Sequence, residues 1–91
     1  MAEITVTIRN KVGLHARPAA LFVKEANKYK STITVSKNEG SKEVNAKSIL
    51  GILGLGVDFG AVIRIRAEGD DADNALLAFQ ALVDRNFGEK E

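Results

Sequence analysis

Hydrophobic and polar positions change their period several times along this chain, and each change marks an element. Ile4, Val6 and Ile8 alternate with Glu3, Thr5, Thr7 and Arg9. A period of two is that of a half-buried strand. Asn10 to Leu14 reads as a loop. From Ala16 the apolar spacing turns helical, with Ala19, Phe22, Val23 and Ala26 on one face and Lys24, Glu25, Asn27 and Lys28 toward water. This helix is predicted to run as far as Tyr29. Pro18 is compatible with it, because a first-turn N–H has no intrahelical partner to lose. Ile33 and Val35 then alternate with Thr32, Thr34 and Ser36, giving a second strand. Asn38-Glu39-Gly40 is a turn signal, and Lys42 to Asn45 a short third strand, so the pair reads as a hairpin.

Ser48 precedes the run Ile49-Leu50-Gly51-Ile52-Leu53-Gly54-Leu55-Gly56. A serine hydroxyl caps first-turn amides well, so this run is a short helix, weakened by its glycines. Ala61 to Ala67 is a fourth strand with Ile63 and Ile65 inward. Gly69-Asp70-Asp71 ends it and offers an acidic N-cap to the last helix. That helix carries Ala72, Ala75, Leu76, Phe79, Leu82 and Val83 on one face, and Gly88 closes it. The order is β-α-β-β-α-β-α. Threonine and charge at the outward strand positions imply a single-faced antiparallel sheet. The predicted fold class is therefore α+β: a four-stranded antiparallel sheet with three helices on one face.

Composition narrows the class further. Ninety-one residues, 45% of them hydrophobic, suit one domain over residues 1–91, near the small end for a self-sufficient core. A net charge of +1 argues against general attraction to nucleic acid or anionic membranes. The predicted strands also lack the aromatics on which a nucleic-acid-binding sheet stacks bases. With no cysteine there is neither a disulfide framework nor a thiolate metal site, and a reducing cytoplasm is the expected setting. The first residues lack a basic segment followed by an apolar run, so no signal peptide is expected. No apolar run is long enough to insert into a membrane.

The chemistry concentrates at Gly13-Leu14-His15-Ala16-Arg17-Pro18-Ala19, which holds the one histidine and the one proline of the chain. His15 falls at a helix N-terminus, where free N–H groups and the helix dipole favour an anion. Gly13 permits a tight backbone turn before it, and Pro18 positions the helix start. Arg17 stands two residues on. Two readings of His15 compete: a histidine that caps the helix or bonds a backbone carbonyl, and one that carries a phosphoryl group on nitrogen. Nitrogen phosphorylation needs a neutral imidazole, and histidine's usual pKa of about 6.5 supplies one near neutral pH. Arg17, otherwise a solvated surface residue, would hold the phosphate oxygens together with the free amides. A carrier must also release the group, so donor and acceptor states must lie close in energy. With no second histidine and no cysteine, a metal site built on His15 is not expected, and no metal or organic cofactor is implied.

Ser48 also has two readings, an ordinary N-cap or a regulatory phosphorylation site. A phosphate there would add about −1.5 to −2 of charge at the start of an apolar helix. It would disturb an acidic partner docking beside it, and Lys47 next door could pair with it. Ile49, Leu50, Ile52 and Leu53 cannot all be buried by so small a domain. Some of this helix is core and some is left exposed as a docking surface.

Gly-Leu-His-Ala-Arg-Pro-Ala, followed by Lys47-Ser48-Ile49-Leu50-Gly51, resembles the histidine-containing phosphocarrier (HPr) family of the phosphoenolpyruvate-dependent phosphotransferase system, over essentially the whole chain. The resemblance implies an open-faced β-sandwich. It implies that His15 accepts phosphate from enzyme I on its δ1 nitrogen and passes it to an enzyme IIA domain, with Arg17 as the phosphate-side partner. It places Ser48 where an ATP-dependent serine kinase modifies many relatives, which would link the chain to a serine kinase/phosphorylase and a transcription regulator. Leu50 and Leu53 would belong to the common docking surface. The family's members are stoichiometric carriers, not stand-alone enzymes. Relatives of the sugar branch often carry methionine at the positions of Leu50 and Leu53 and serine at that of Gly54. The turn Asn38 to Ser41 looks more like that of the nitrogen-related branch, while the Lys47-Ser48 pair does not. Two readings of function remain: phosphoryl transfer through His15 for sugar uptake or regulation, and a binding module of the same fold governed by Ser48 or serving the nitrogen-related branch.

Overall fold

Strand alternation and helical faces meet on one buried layer. The computed structural model describes residues 2–37 and 42–88. In chain order it contains β1 (Ala2–Thr7), α1 (Ala16–Ala26), β2 (Thr32–Ser36), β3 (Val44–Asn45), α2 (Ile49–Gly54), β4 (Val62–Glu68) and α3 (Ala72–Asp84), followed by a 3-10 turn over Asn86–Gly88. The strands form one sheet in the order β1-β4-β2-β3, with every pair antiparallel. This is the α+β open-faced sandwich predicted from the sequence.

The period of two decides which face is covered. Val6, Ile33, Val35, Ile63, Ile65 and Ala67 point inward and are buried. Glu3, Thr5, Thr7, Thr32, Thr34, Arg64 and Arg66 occupy the other face. Glu3 lies opposite Arg66 in the β1–β4 register, and Arg66 also donates to Glu43 at 2.9 Å. The open face is thus a laced, solvated polar surface. The helices cover the inner face. Phe22 of α1 and Phe79 of α3 stack there with ring centroids 4.6 Å apart and planes at 30°.

Several predicted boundaries move. Helix α1 stops at Ala26 rather than Tyr29, because Asn27 caps it and Lys28 and Tyr29 donate back in tight three-residue bonds to Glu25 and Ala26. Ile8 falls outside β1 yet stays paired to the loop before β4: its N–H donates to Ala61 and its carbonyl accepts from Gly60. β3 is only Val44–Asn45, since Lys42 and Glu43 form no ladder bonds. The turn at Asn38 to Ser41 lies outside the described residues. Gly88 does not close α3. That helix ends at Asp84, and Gly88 closes the following 3-10 turn by donating to the Arg85 carbonyl at 2.9 Å. Within that turn Asn86 and Phe87 have φ of +51° and +58°. A left-handed conformation costs a side chain about 1–2 kcal/mol, and full burial of the Phe87 ring offsets it.

Asp71 precedes α3 as predicted, but its side chain does not cap the helix. The carboxylate turns away and accepts from the Lys30 amide at 2.9 Å, the Ser31 amide at 3.0 Å and the Ser31 hydroxyl. It ties the start of α3 to the turn before β2. The Ser31 hydroxyl first, then the amides, hold the Asp71 carboxyl below its ordinary value of 3.8. A carboxyl depressed on folding adds stability that is present above its unfolded value and is lost as pH falls through the folded one. Asp71→Asn should therefore unfold at lower urea than the parent at neutral pH, and the gap should close as pH drops below 3.8. Urea midpoints measured along the acid limb check this, and a gap that stays constant would contradict it.

Candidate functional site

The site is assembled from two loops held together by backbone. Asn10 is buried and its side-chain amide donates to the Gly13 carbonyl at 2.8 Å, while the Gly13 amide donates to the Asn10 carbonyl at 3.1 Å. This closes the loop before α1 into a tight turn. Leu14 then donates to the Val57 carbonyl at 2.8 Å and buries its side chain completely. Gly13 has φ of +65°, and a Cβ there would stand 2.3 Å from the Val57 carbonyl oxygen. Glycine is required twice over, for the turn and for the close approach.

On the other side Asp58-Phe59-Gly60-Ala61 is a turn closed by the Ala61 amide donating to the Asp58 carbonyl at 3.1 Å. Gly60 takes φ of +86° at its third position, as a type II turn demands. The Leu14–Val57 bond sets the residues that follow, His15 and Asp58, against each other. His15 Nε2 meets Asp58 Oδ1 at 2.9 Å. A carboxylate only accepts, so the contact is a hydrogen bond in the tautomer that carries its proton on Nε2. Nδ1 has no hydrogen-bond partner among the described residues. The imidazole is 41% exposed and the carboxylate 78%.

His15 is the N-cap residue of α1 by position, with extended backbone, but its ring caps nothing. Ala16 follows with φ of +51°. The amides of Ala16 and Arg17 precede the first intrahelical bond and have no partner among the described residues. Pro18 is buried in the first turn and contributes no N–H. No acidic residue lies in that turn. Unpaired amides at a helix start, with the dipole behind them, bind anions. Arg17 is not bonded to His15. It is exposed, its guanidinium passes 4.0 Å from where a Gly88 side chain would begin, and it makes no hydrogen bond or ion pair among the described residues.

Ser48 caps α2, its Oγ accepting from the Gly51 amide at 3.1 Å. Lys47 is committed elsewhere: Nζ donates to the Tyr29 carbonyl at 2.7 Å, beyond the end of α1. In the unphosphorylated chain the Lys47 ammonium thus satisfies a loop carbonyl. Within α2, Ile52 is buried, whereas Leu50 is 80% exposed and Ile49 and Leu53 are also open to solvent. Val12 and Phe59, the latter 64% exposed, add apolar surface on the two loops that meet at His15. Among the described residues no group of three acidic or histidine side chains is placed to hold a metal, and no helix is long and apolar enough to cross a membrane.

Sequence reasoning missed Asp58, Val12 and Phe59. Asp58 reads locally as a turn former, since aspartate is common at the first position of a turn closed by glycine. Its other role depends on a contact across 43 residues. A single apolar residue in a loop has no period to betray it.

Residues 2–85 match the family model PTS-HPr, described as the PTS HPr component phosphorylation site. The phosphocarrier protein HPr of Mycoplasma capricolum is 45% identical over 85 residues, covering 92% of this chain and 93% of its own. The HPr-like protein Crh of Bacillus subtilis is 45% identical over 83 residues, covering 91% and 95%. The crystal structure of HPr-C-His from Thermoanaerobacter tengcongensis superposes with a TM-score of 0.94 at 52% identity, covering 100% of both chains. The match to this model over residues 2–85, with a relative 45% identical and a solved structure 52% identical across nearly the whole chain, places the protein in the HPr family of phosphocarriers.

Proposed function

We propose that this chain is a stoichiometric phosphoryl carrier in which Nδ1 of His15 takes a phosphoryl group from phospho-enzyme I and gives it to an enzyme IIA domain. The observation that carries this reading is the orientation of the ring. Nε2 is engaged at 2.9 Å by Asp58, so the other nitrogen is left with its lone pair at the surface. Phosphoryl transfer asks little covalent chemistry of the protein; it needs an in-line nucleophile and stabilisation of spread negative charge. The unpaired amides of Ala16 and Arg17 supply fixed donors, and the Arg17 guanidinium, bonded to nothing among the described residues, is free to turn onto the phosphate. Gly13 and Pro18 position the ring and carry no chemistry.

The exposed side chains of Leu50 and Leu53, with Val12 and Phe59, form the surface on which partners dock in succession. Ser48 is the regulatory site in this reading. A phosphate on it would put charge beside Leu50 and repel an acidic partner. A similar solved structure, that of Crh, described as the Bacillus subtilis catabolite repression HPr, accords with such a regulatory use of the fold.

Incubation with phosphoenolpyruvate and a matched enzyme I should yield one acid-labile, base-stable phosphate per chain, and His15→Ala should take none. With ATP and a serine kinase in place of these, the phosphate should be acid-stable and absent from Ser48→Ala. An acid-labile phosphate that persists in His15→Ala would refute the carrier assignment.

A further inference from the structure

We propose that Asp58 is a positioning residue for His15: its carboxylate keeps the ring proton on Nε2, so that Nδ1 presents its lone pair before transfer and the ring has a counter-charge after it. The inference deepens the carrier reading and rests on it.

The two ring nitrogens of a neutral imidazole are one donor and one acceptor, and a partner on one of them decides which is which. Here the partner is a carboxylate at 2.9 Å from Nε2. The pairing is built by backbone rather than left to two mobile side chains. Leu14, next to His15, donates to Val57, next to Asp58, at 2.8 Å. The Asp58 turn is itself pinned, by Ala61 donating to Asp58 at 3.1 Å and by Gly60 donating to Ile8 at 2.7 Å. Both loops are therefore anchored before the side chains meet.

Such a clamp suits a carrier because no proton has to move. The Nδ1 lone pair forms the N–P bond as the donor's bond to phosphorus breaks and its electron pair returns to the donor. The ring, still protonated at Nε2, becomes a cation. On transfer to the acceptor, the N–P pair returns to Nδ1 and the same neutral tautomer is restored. The carboxylate offsets the positive charge that the ring bears in between. It sits at Nε2, across the ring from the phosphoryl group, so its repulsion of the phosphate is small beside its attraction to the cation. Arg17 and the amides of Ala16 and Arg17, without partners among the described residues, are left to serve the phosphate. Because Asp58 is 78% exposed, water screens the pair and the effect is modest.

The test is nitrogen NMR of protein labelled with 15N-histidine, at a pH where the ring is neutral and without phosphorylation. In the parent protein, Nε2 should give the signal of a protonated nitrogen and Nδ1 that of a bare one. In Asp58→Ala and Asp58→Asn both signals should move toward the average of two tautomers, and Asp58→Glu should restore part of the difference. Phosphoryl acceptance from phospho-enzyme I should slow by about threefold in Asp58→Ala, the scale of one exposed charge-assisted bond. Ring signals in Asp58→Ala identical to the parent's overturn the role of Asp58, whatever happens to the rate, and leave the carrier reading intact if phosphate is still accepted. A parent protein that shows the clamped tautomer but takes no phosphate overturns the carrier reading, and the role with it.

Discussion

Phe79→Ala should lower the melting temperature by on the order of 20 °C. Phe79 is fully buried, and its ring stacks on Phe22 at 4.6 Å, joining α3 to α1 above the sheet. Emptying such a site removes both transfer free energy and packing, a loss of about 3–5 kcal/mol. In a domain of this size each kcal/mol shifts the midpoint by about 4–8 °C. The stacked pair also holds α1, whose N-cap residue is His15, against α3. Thermal unfolding followed by circular dichroism checks the value. A fall of less than about 5 °C would mean that α1 and α3 are not held together through these rings.

Gly13→Ala should cost about 2–4 kcal/mol and damage the site more than its distance from Nδ1 suggests. An alanine Cβ would sit 2.3 Å from the Val57 carbonyl oxygen and 2.7 Å from the Asp58 Cα, with φ at +65°. Neither obstacle is a flexible side-chain end, so the loop must lift off the 57–58 segment. Lifting breaks the Leu14–Val57 bond and separates the imidazole from Asp58. Urea unfolding should show the stability loss, and phosphoryl acceptance measured well below the midpoint should fall in the fraction that remains folded. A variant as stable and as active as the parent would contradict the docking of the two loops.

The element order was legible because the chain changes period cleanly. Strand alternation ends at Arg9, helical spacing starts after Leu14, and Ala72 to Val83 keep one face throughout. What was not legible depended on contacts across the fold. Asp71 carries a cap's signature but serves Lys30 and Ser31, forty residues before it. Gly88 looks like the end of a helix that had stopped at Asp84. At the site, His15 announced itself by being the single histidine, framed by glycine and proline. Asp58 was hidden by its own turn, its partner lying 43 residues away. His15 is marked locally, whereas the residue that meets its ring is supplied by the fold.

In a carrier of this kind the phosphoryl group resides on one particular nitrogen. Phosphorylated protein labelled with 15N at histidine and studied by nitrogen and phosphorus NMR reads this directly. Direct phosphorus coupling is expected at Nδ1 of His15, with a proton still on Nε2. Coupling at Nε2, or phosphate found on another residue, would contradict it.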